Sequence, residues 1–172
     1  MAKIAVLITD MFEDLEYTSP AAAFANAGHE IIHVGLEANQ VVRGKKNNTE
    51  VRIDQSVAAC SADSFDALLI PGGYSPDKLR VNDDAVALVK QFMAADKPVF
   101  SICHAPQILI TAKVLKGRTI TGWKSITQDI INAGANFVDK EVVIDGNLVS
   151  SRSPVDLPPF IEASLQKLVA VS

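Results

Sequence analysis

The sequence predicts an α/β protein, with a mostly parallel sheet covered by helices on both faces. Short, continuous apolar runs recur along the chain, and such runs are typical of strands buried on both faces. Segments with the apolar spacing of helices separate them, and this alternation is typical of a parallel sheet. The 172 residues, 48% hydrophobic and 21% charged, contain no repeat or linker. We therefore expect one globular domain over residues 1–172.

The runs and their boundaries define the elements in order. Glycines, prolines and polar turn residues interrupt the apolar pattern and set the ends of each segment. The predicted strands are Lys3–Thr9, Glu30–Gly35, Phe65–Ile70 and Pro98–Ile102. The predicted helices are Leu15–Ala27, Asp83–Ala95 (capped by Asn82), Pro106–Val114, Ile126–Ala133 and Pro154–Val169. Residues 41–53 indicate a hairpin or an extended excursion, and Asp145-Gly146-Asn147 predicts a second hairpin between 142–144 and 148–150.

Charge and composition argue against several classes of protein. The net charge is −4 and no basic stripe is present, which argues against a nucleic-acid partner. No apolar run approaches the ~20 residues of a membrane span, and no leader precedes the first strand, so we expect a cytoplasmic protein.

His29 and His33 would lie about 13 Å apart on one strand, too far to chelate one ion. We expect no metal ion.

Cys103 is the candidate nucleophile. It follows the buried strand 98–102 directly, and Pro106 then opens a helix. A thiol on such a strand–helix turn is exposed at the carboxyl edge of the sheet, where the partial positive charge of the helix N-terminus favours thiolate. The alternative is a small buried apolar residue, which is also the interpretation for Cys60. His104 follows Cys103, but neighbours on a tight turn diverge, so contact with the sulfur is not assumed.

Two further strand ends carry candidate site residues. Gly72 and Gly73 end the strand at 65–70, and their unobstructed amides, with that of His104, are suited to bind an oxyanion. Glu13 follows the first strand. A desolvated carboxyl facing Cys103 would stay protonated and donate to the thiolate. The alternative for Glu13 is a first-turn acid that favours the helix dipole, a role we expect Asp14 and Glu16 to fill.

The orientation of His104 calls for a third group. Asp77 is the candidate, and an ordinary acid at a helix start is an equally good interpretation of this residue.

Taken together, these residues resemble the PfpI-type family of the class I glutamine-amidotransferase-like superfamily. The similarity spans nearly the whole chain and is strongest to short bacterial general-stress members. It rests on A-V-L-I-T-D-M-F-E-D, F-D-A-L-L-I-P-G-G-Y-S-P-D-K-L-R, K-P-V-F-S-I-C-H-A-P-Q-I-L-I, N-A-G-A-N-F-V-D-K-E-V-V-I-D-G-N-L-V-S-S-R and D-L-P-P-F. The resemblance implies a three-layer flavodoxin-like sandwich with a nucleophile elbow.

The resemblance also implies roles for residues of this chain. Cys103 would be the nucleophile, with His104 its acid or base partner and Glu13 hydrogen-bonded to the thiol. The amides of Gly73 and His104 would form the oxyanion hole, and Asp77 would reach His104 from a neighbouring subunit of a dimer or hexamer. Tyr74 would line the pocket mouth beside Gly72. Ala105 stands where the family more often has glycine, and its methyl would narrow the pocket.

The implied function is a stress-protective cysteine enzyme acting on reactive aldehydes such as methylglyoxal, or on early glycation adducts. No cofactor is expected, because the second carbonyl of an α-oxoaldehyde serves as the internal oxidant. Two alternatives remain open. One is an intracellular cysteine peptidase, which the Cys–His pair and the oxyanion hole also suit. The other is a redox-sensing or chaperone-like stress protein in which Cys103 is oxidised.

Overall fold

The computed structural model describes residues 1–171; Ser172, the last residue of the predicted domain, lies outside the described residues. Strands and helices alternate through most of the chain. In order, the elements are β1 (Lys3–Leu7), α1 (Asp14–Asn26), β2 (Glu30–Gly35), β3 (Val41–Arg43), β4 (Glu50–Arg52), β5 (Gln55–Ser56), β6 (Ala67–Ile70), α2 (Ser75–Leu79), α3 (Asp83–Ala94), β7 (Val99–Ile102), α4 (Pro106–Thr111), β8 (Thr119–Ile120), α5 (Thr127–Asn132), β9 (Asn136–Phe137), β10 (Val143–Asp145), β11 (Leu148–Ser151) and α6 (Leu157–Val169).

A seven-stranded sheet forms the centre of the described chain, in the order β10-β11-β7-β6-β1-β2-β5. Neighbouring strands run parallel, except for the antiparallel hairpin of β10 and β11 at one edge. The register pairs Leu69 of β6 with Val6 of β1 and with Phe100 of β7. The carboxyl ends of β1, β6 and β7 therefore meet at the same edge, where ligands of such sheets bind.

Alternation along the central strands separates the core into two layers. On β1, Ala5 and Leu7 belong to a cluster that packs against α3, α4 and α5, whereas Ile4 and Val6 belong to a second cluster with α1 and α6. Since successive side chains of a strand point to opposite faces, both faces of the sheet are covered. The predicted three-layer α/β sandwich is confirmed.

The element boundaries differ from the predicted ones mainly at the ends. Strand β2 begins and ends where the sequence predicts, and both hairpins form. Asn82 caps α3 as expected, because its side-chain oxygen accepts from the amide of Ala85 at 3.0 Å. Helix α4 ends at Thr111, short of the predicted Val114, and Lys113 then takes a left-handed φ of 58°. Helix α2 and the two-residue strands β5, β8 and β9 were not predicted, because segments this short carry no periodic signal.

Among residues 1–171, we find no helix with both the length and the apolar character that a membrane crossing requires.

Candidate active site

Cys103 lies on a sharp turn between β7 and α4. Its φ of 61° lies in the left-handed region, which residues with a side chain rarely adopt. Its amide donates to the Ser151 carbonyl at 3.0 Å, and its carbonyl accepts from the Trp123 amide at 2.8 Å. Two neighbouring segments thus hold the strained turn in place. The residue is 8% exposed, so the thiol lies at the bottom of a cavity.

Glu16 is the carboxyl in contact with this thiol. Its side chain lies beneath Cys103, where Oε1 accepts from the Gly72 amide at 2.8 Å and the carboxyl is in contact with the Cys103 thiol. Burial, reinforced by the charge of Glu13, raises the pKa of Glu16 to about 8 despite the hydrogen bond from Gly72. Glu16 is therefore a carboxylic acid at neutral pH, able to donate its proton.

The backbone amides of Gly73 and His104 both point at the sulfur of Cys103. Gly73 has a φ of 77°, and a side chain there would place its Cβ 2.5 Å from the Glu13 amide nitrogen, so only glycine fits without a shift. Burial and the charge of Glu16 raise the pKa of the thiol, while these two amides and Lys45 lower it. The two predicted oxyanion donors thus lie together at the nucleophile.

The imidazole of His104 turns back toward the thiol. Its Nδ1 lies 3.4 Å from Cys103 Sγ, and its Nε2 lies 3.4 Å from Ser125 Oγ. Burial lowers the pKa of His104, the charge of Lys45 lowers it further, and Asp77 raises it in part. The imidazole is therefore neutral at pH 7 and able to accept a proton.

The turn between β3 and β4 brings two lysines over the thiol. Nζ of Lys45 and of Lys46 lie 3.3 and 3.4 Å from Oε2 of the buried Glu13. Asp14 anchors this turn, because its carboxylate accepts from the Lys46 amide at 2.8 Å and from the Thr49 amide at 3.1 Å. Burial alone would raise the pKa of Asp14, but hydrogen bonds from the Thr49 side chain and from these amides lower it to about 2.

A cavity of about 290 Å³, the thiol cavity, opens above Cys103. Its lining combines the Cys–His pair with cationic, carboxylate and aromatic groups. The lining residues are Glu13, Lys45, Lys46, Cys103, His104, Trp123, Ser153 and Pro154. A space of this size can hold a small ligand against the sulfur.

Glu13 does not make the contact predicted for it. The carboxyl in contact with the thiol is that of Glu16, whereas Glu13 lies on the cavity wall, paired with Lys45 and Lys46. The reason is position: Glu13 directly precedes α1, and Glu16 lies in its first turn on the buried face. Glu16, which we expected only to favour the helix dipole, is fully buried.

The predicted pocket residues lie around the thiol cavity rather than in its lining. Ala105 is fully buried and packs into the core beside α3 and α4, so its methyl does not narrow the cavity. Gly72 lies beneath the thiol, where a Cβ would come within 2.8 Å of Cys103 Cβ. Tyr74 is 58% exposed on the outer side, with Lys45 Nζ 5.6 Å from its ring centroid. Asp77 is an exposed residue of α2.

The sequence interpretation missed Glu16 and the lysines of the hairpin turn. The signal for Glu16 is its spacing: Glu16, Pro20 and Phe24 follow at intervals of four and form one buried face of α1. A carboxyl on the apolar face of a helix is a candidate site residue. No local pattern marks Lys45, because its place over the thiol depends on the turn that Asp14 anchors.

His29 and His33 serve other contacts. His29 Nδ1 accepts from the Ala2 amide at 3.0 Å, while His33 pairs with Tyr17 Oη at 2.7 Å and with Asp54 at 3.3 Å. Across residues 1–171, no three His, Cys, Asp or Glu side chains converge in a way that would hold a metal ion.

These features define the class of proteins with a nucleophile elbow. The cysteine is buried on a strained strand–helix turn of a doubly wound sheet, backbone amides point at its sulfur, and a carboxylic acid lies beneath it. Within that class, residues 2–167 match the model of the DJ-1/PfpI family, and the chain belongs to this family.

Three relatives of known name have similar lengths. The chain is 53% identical to general stress protein 18 of Bacillus subtilis, over 96% of this chain and 97% of that one. It is 52% identical to protein/nucleic acid deglycase 2 of Escherichia coli, over 98% of each. It is also 52% identical to YraA of B. subtilis, whose name proposes a cysteine protease, over 96% of this chain and 98% of that one.

A solved structure has the same fold. It is a two-domain protein from Anabaena variabilis, with a DJ-1/ThiJ/PfpI-like and a ferritin-like domain. The TM-score is 0.96 at 39% identity, over 98% of this chain and 48% of that protein.

Proposed function

We propose that the protein is a stress-protective cysteine enzyme that converts reactive α-oxoaldehydes, or their early adducts with amines and thiols, into hydroxy acids. The observation that carries this proposal is the contact between the Cys103 thiol and the protonated carboxyl of Glu16, below a cavity sized for a small aldehyde. Two of the relatives are named as a general stress protein and a deglycase, and these names support the same function.

The proposed reaction begins at the thiol–carboxyl pair. Cys103 Sγ adds to the aldehyde carbon of methylglyoxal while its proton passes to His104 Nδ1, 3.4 Å away, and from there to water. The proton of Glu16 passes to the new oxygen, which gives a thiohemiacetal and leaves Glu16 as a carboxylate. With an amine adduct, the same carbon–sulfur bond forms while the carbon–nitrogen bond breaks and the amine leaves with a proton. The amides of Gly73 and His104 stabilise the oxyanion, a contribution worth about 3 kcal/mol for a single donor.

The second half of the proposed reaction is an internal redox step. The Glu16 carboxylate removes the C1 hydrogen as a proton and returns it to C2, while the hydroxyl proton moves between the two oxygens. C1 is oxidised to a thioester and C2 is reduced to an alcohol, so no external oxidant is needed. Water that loses its proton to the neutral imidazole of His104 then releases lactate and the free thiol.

The experiment compares the wild type with Cys103→Ser on methylglyoxal, with lactate as the product measured. Cys60→Ser is the matched control, because Cys60 lies outside the thiol cavity and bonds Gln55. We expect at least a thousandfold loss of turnover in Cys103→Ser and none in Cys60→Ser. Equal turnover of the wild type and Cys103→Ser would overturn the proposal.

Peptidase activity is the second candidate, favoured by the 3.4 Å distance between Cys103 Sγ and His104 Nδ1 and by the name of YraA. An extended peptide needs a groove, and the thiol cavity holds about 290 Å³. A fluorogenic peptide assayed beside methylglyoxal separates the two functions. Turnover of the peptide by the wild type, lost in Cys103→Ser, together with no lactate from methylglyoxal, would favour the peptidase.

We further propose that the protein is a homo-oligomer whose interface covers α2. Within one chain the charge of Asp77 already raises the pKa of His104, so this pairing does not depend on a neighbouring copy. Exposed apolar side chains flank α2: Met11 is 41% exposed, Tyr74 58% and Val81 82%. Covering them in an interface would remove apolar surface from water. Sedimentation equilibrium of the wild type and of Val81→Asp tests this, and a monomeric wild type would overturn it.

A further inference from the structure

A second cavity opens beside the thiol cavity. This side cavity has a volume of about 280 Å³ and is lined by Gly122, Trp123, Lys124, Thr127, Phe137, Asp139, Arg152, Ser153 and Val155. Trp123 and Ser153 line both cavities, so the two share a wall. A ligand with its reacting carbon over Cys103 therefore reaches the side cavity by passing these two residues.

The size of the two spaces argues for a substrate larger than a free aldehyde. Ligand sites in proteins occupy ~300–1,000 Å³, and each cavity alone is at or below the lower end of that range. A three-carbon dicarbonyl needs only the thiol cavity, whereas both cavities together fall well inside the range. The side cavity is thus available to the part of a substrate that does not react.

The walls of the side cavity combine an apolar surface with a fixed cation. Trp123, Phe137 and Val155 supply the apolar surface. Arg152 is held rigid: Nε and Nη2 donate to Asp156 at 2.9 and 3.0 Å, and Nη1 donates to Asp139 at 3.0 Å. These bonds use three of the five N–H groups of a guanidinium, which leaves one on each terminal nitrogen. Two such donors match the two oxygens of a carboxylate or a phosphate.

The charge around the two cavities favours an anionic ligand. The whole chain has a net charge of −4. The two linings nevertheless carry four cationic side chains, Lys45, Lys46, Lys124 and Arg152, against three carboxylates: Glu13 and Asp139 in the linings and Asp156 behind Arg152. Lys124 Nζ lies 5.4 Å from the ring centroid of Trp123, at the junction of the cavities. The charge around the cavities is thus positive although that of the whole chain is negative, and a positive surface attracts ligands with anionic oxygens.

We propose that the side cavity binds the carrier of a glycation adduct, a molecule with an apolar or aromatic body and a carboxylate or phosphate group, while its dicarbonyl carbon reacts at Cys103. The inference rests on the proposed function and names the substrate class of that site. Val155 and Arg152 determine carrier specificity, since both line the side cavity and lie outside the thiol cavity.

The test uses carriers that differ only in charge. The carboxylate pair is the methylglyoxal hemithioacetals of N-acetylcysteine and N-acetylcysteine amide. The phosphate pair is the methylglyoxal adducts of guanosine 5′-monophosphate and guanosine. Because each adduct releases some free methylglyoxal, the quantity compared is the ratio of kcat/KM for the charged and uncharged member of a pair. We expect this ratio to be about tenfold in the wild type for at least one pair.

Two variants and one control decide the outcome. Val155→Trp fills the side cavity and Arg152→Gln removes its cation; each should bring the ratio to about one and leave kcat/KM for free methylglyoxal within about twofold. Val169→Trp changes an exposed valine at the far end of α6 and should keep the wild-type ratio. A wild-type ratio near one for both pairs, or an equal loss on free methylglyoxal and on charged adducts in Val155→Trp, would overturn the proposal.

Binding separates this proposal from the proposed function. Calorimetry with guanosine 5′-monophosphate and N-acetylcysteine on Cys103→Ser needs no turnover. We expect Val155→Trp in that background to weaken binding of the preferred carrier about tenfold. If the wild type forms no lactate but this loss of affinity is seen, the reaction is wrong and the subsite stands. Lactate formation with no carrier binding overturns the subsite alone.

Discussion

Glu16 and Cys103 are in contact beneath the nucleophile elbow. The Gly72 amide donates to Glu16 Oε1 at 2.8 Å and so fixes the carboxyl against the thiol. Both groups are buried, and neither ionises readily while the other is charged: the carboxylate of Glu16 raises the pKa of Cys103. Both groups therefore keep their protons at neutral pH, and the pair titrates as a unit as the pH rises.

The first prediction concerns stability against pH in Glu16→Gln. The pKa of Glu16 is about 8 in the fold against 4.5 in a free side chain. Between these values the unfolded chain has lost the proton and the folded one keeps it. The wild type therefore loses roughly 1.4 kcal/mol of unfolding free energy per pH unit across this window, and no more above it. Glu16→Gln lacks this loss, so its free energy of unfolding relative to that of the wild type should rise from pH 4.5 to 8.

Urea unfolding at pH 5, 6.5 and 8 measures this difference. Glu13→Gln is the control, because it removes a carboxylate from the wall of the same cavity and leaves the thiol contact in place. A gain of the same size in Glu13→Gln, or a gain in Glu16→Gln that does not change with pH, would contradict the assignment of Glu16.

The second prediction separates the two lysines of the hairpin turn. Both lie within 3.4 Å of Glu13, but only Lys45 lowers the pKa of Cys103. Lys45→Met should therefore raise the pKa of the thiol and slow its alkylation by iodoacetamide at pH 8, whereas Lys46→Met should not. The rates are measured by mass spectrometry in a Cys60→Ser background. Equal rates in the two lysine variants would contradict a specific role for Lys45.

The third prediction tests the oxyanion amide at Gly73. Gly73 and Gly117 have φ values of 77° and 76°, so an added methyl is strained equally at both. At Gly117 nothing lies within 4 Å of the new Cβ, whereas at Gly73 it meets the Glu13 amide at 2.5 Å. Gly117→Ala should cost about 1 kcal/mol of stability with full activity. Gly73→Ala should cost more and lower kcat by about a hundredfold or more, because the amide is displaced.

Unfolding in urea and lactate formation from methylglyoxal provide the two measurements. Full activity in Gly73→Ala would show that this amide does not bind the oxyanion.

The sequence predicts the sheet and the nucleophile because both depend on local patterns. Apolar runs locate β1, β2, β6 and β7, and the run from Val99 into Cys103 ends at a helix start. The elbow follows from this arrangement. The acid of the site was misassigned because a carboxyl in the first turn of a helix is usually exposed, and only the burial of Phe24 and Pro20 on the same face places Glu16 inside. Lys45 depends on contacts between distant segments, such as Lys46 with Asp14 at 2.8 Å, which no local pattern encodes.

The last prediction concerns Asp77 and His104. Burial and the charge of Lys45 lower the pKa of His104 below 6.5, and the charge of Asp77 partly opposes them. Asp77→Asn removes the opposing charge, so the pKa of His104 should fall further. The imidazole would then stay neutral to lower pH, and the acid limb of the kcat/KM profile should move the same way. Proton NMR of the ring follows the titration, with His29 and His33 as internal references. Asp84→Asn, at an exposed acid in the first turn of α3, should leave His104 unchanged. A pKa of His104 that rises, or that moves equally in both variants, would contradict an electrostatic link between Asp77 and the imidazole.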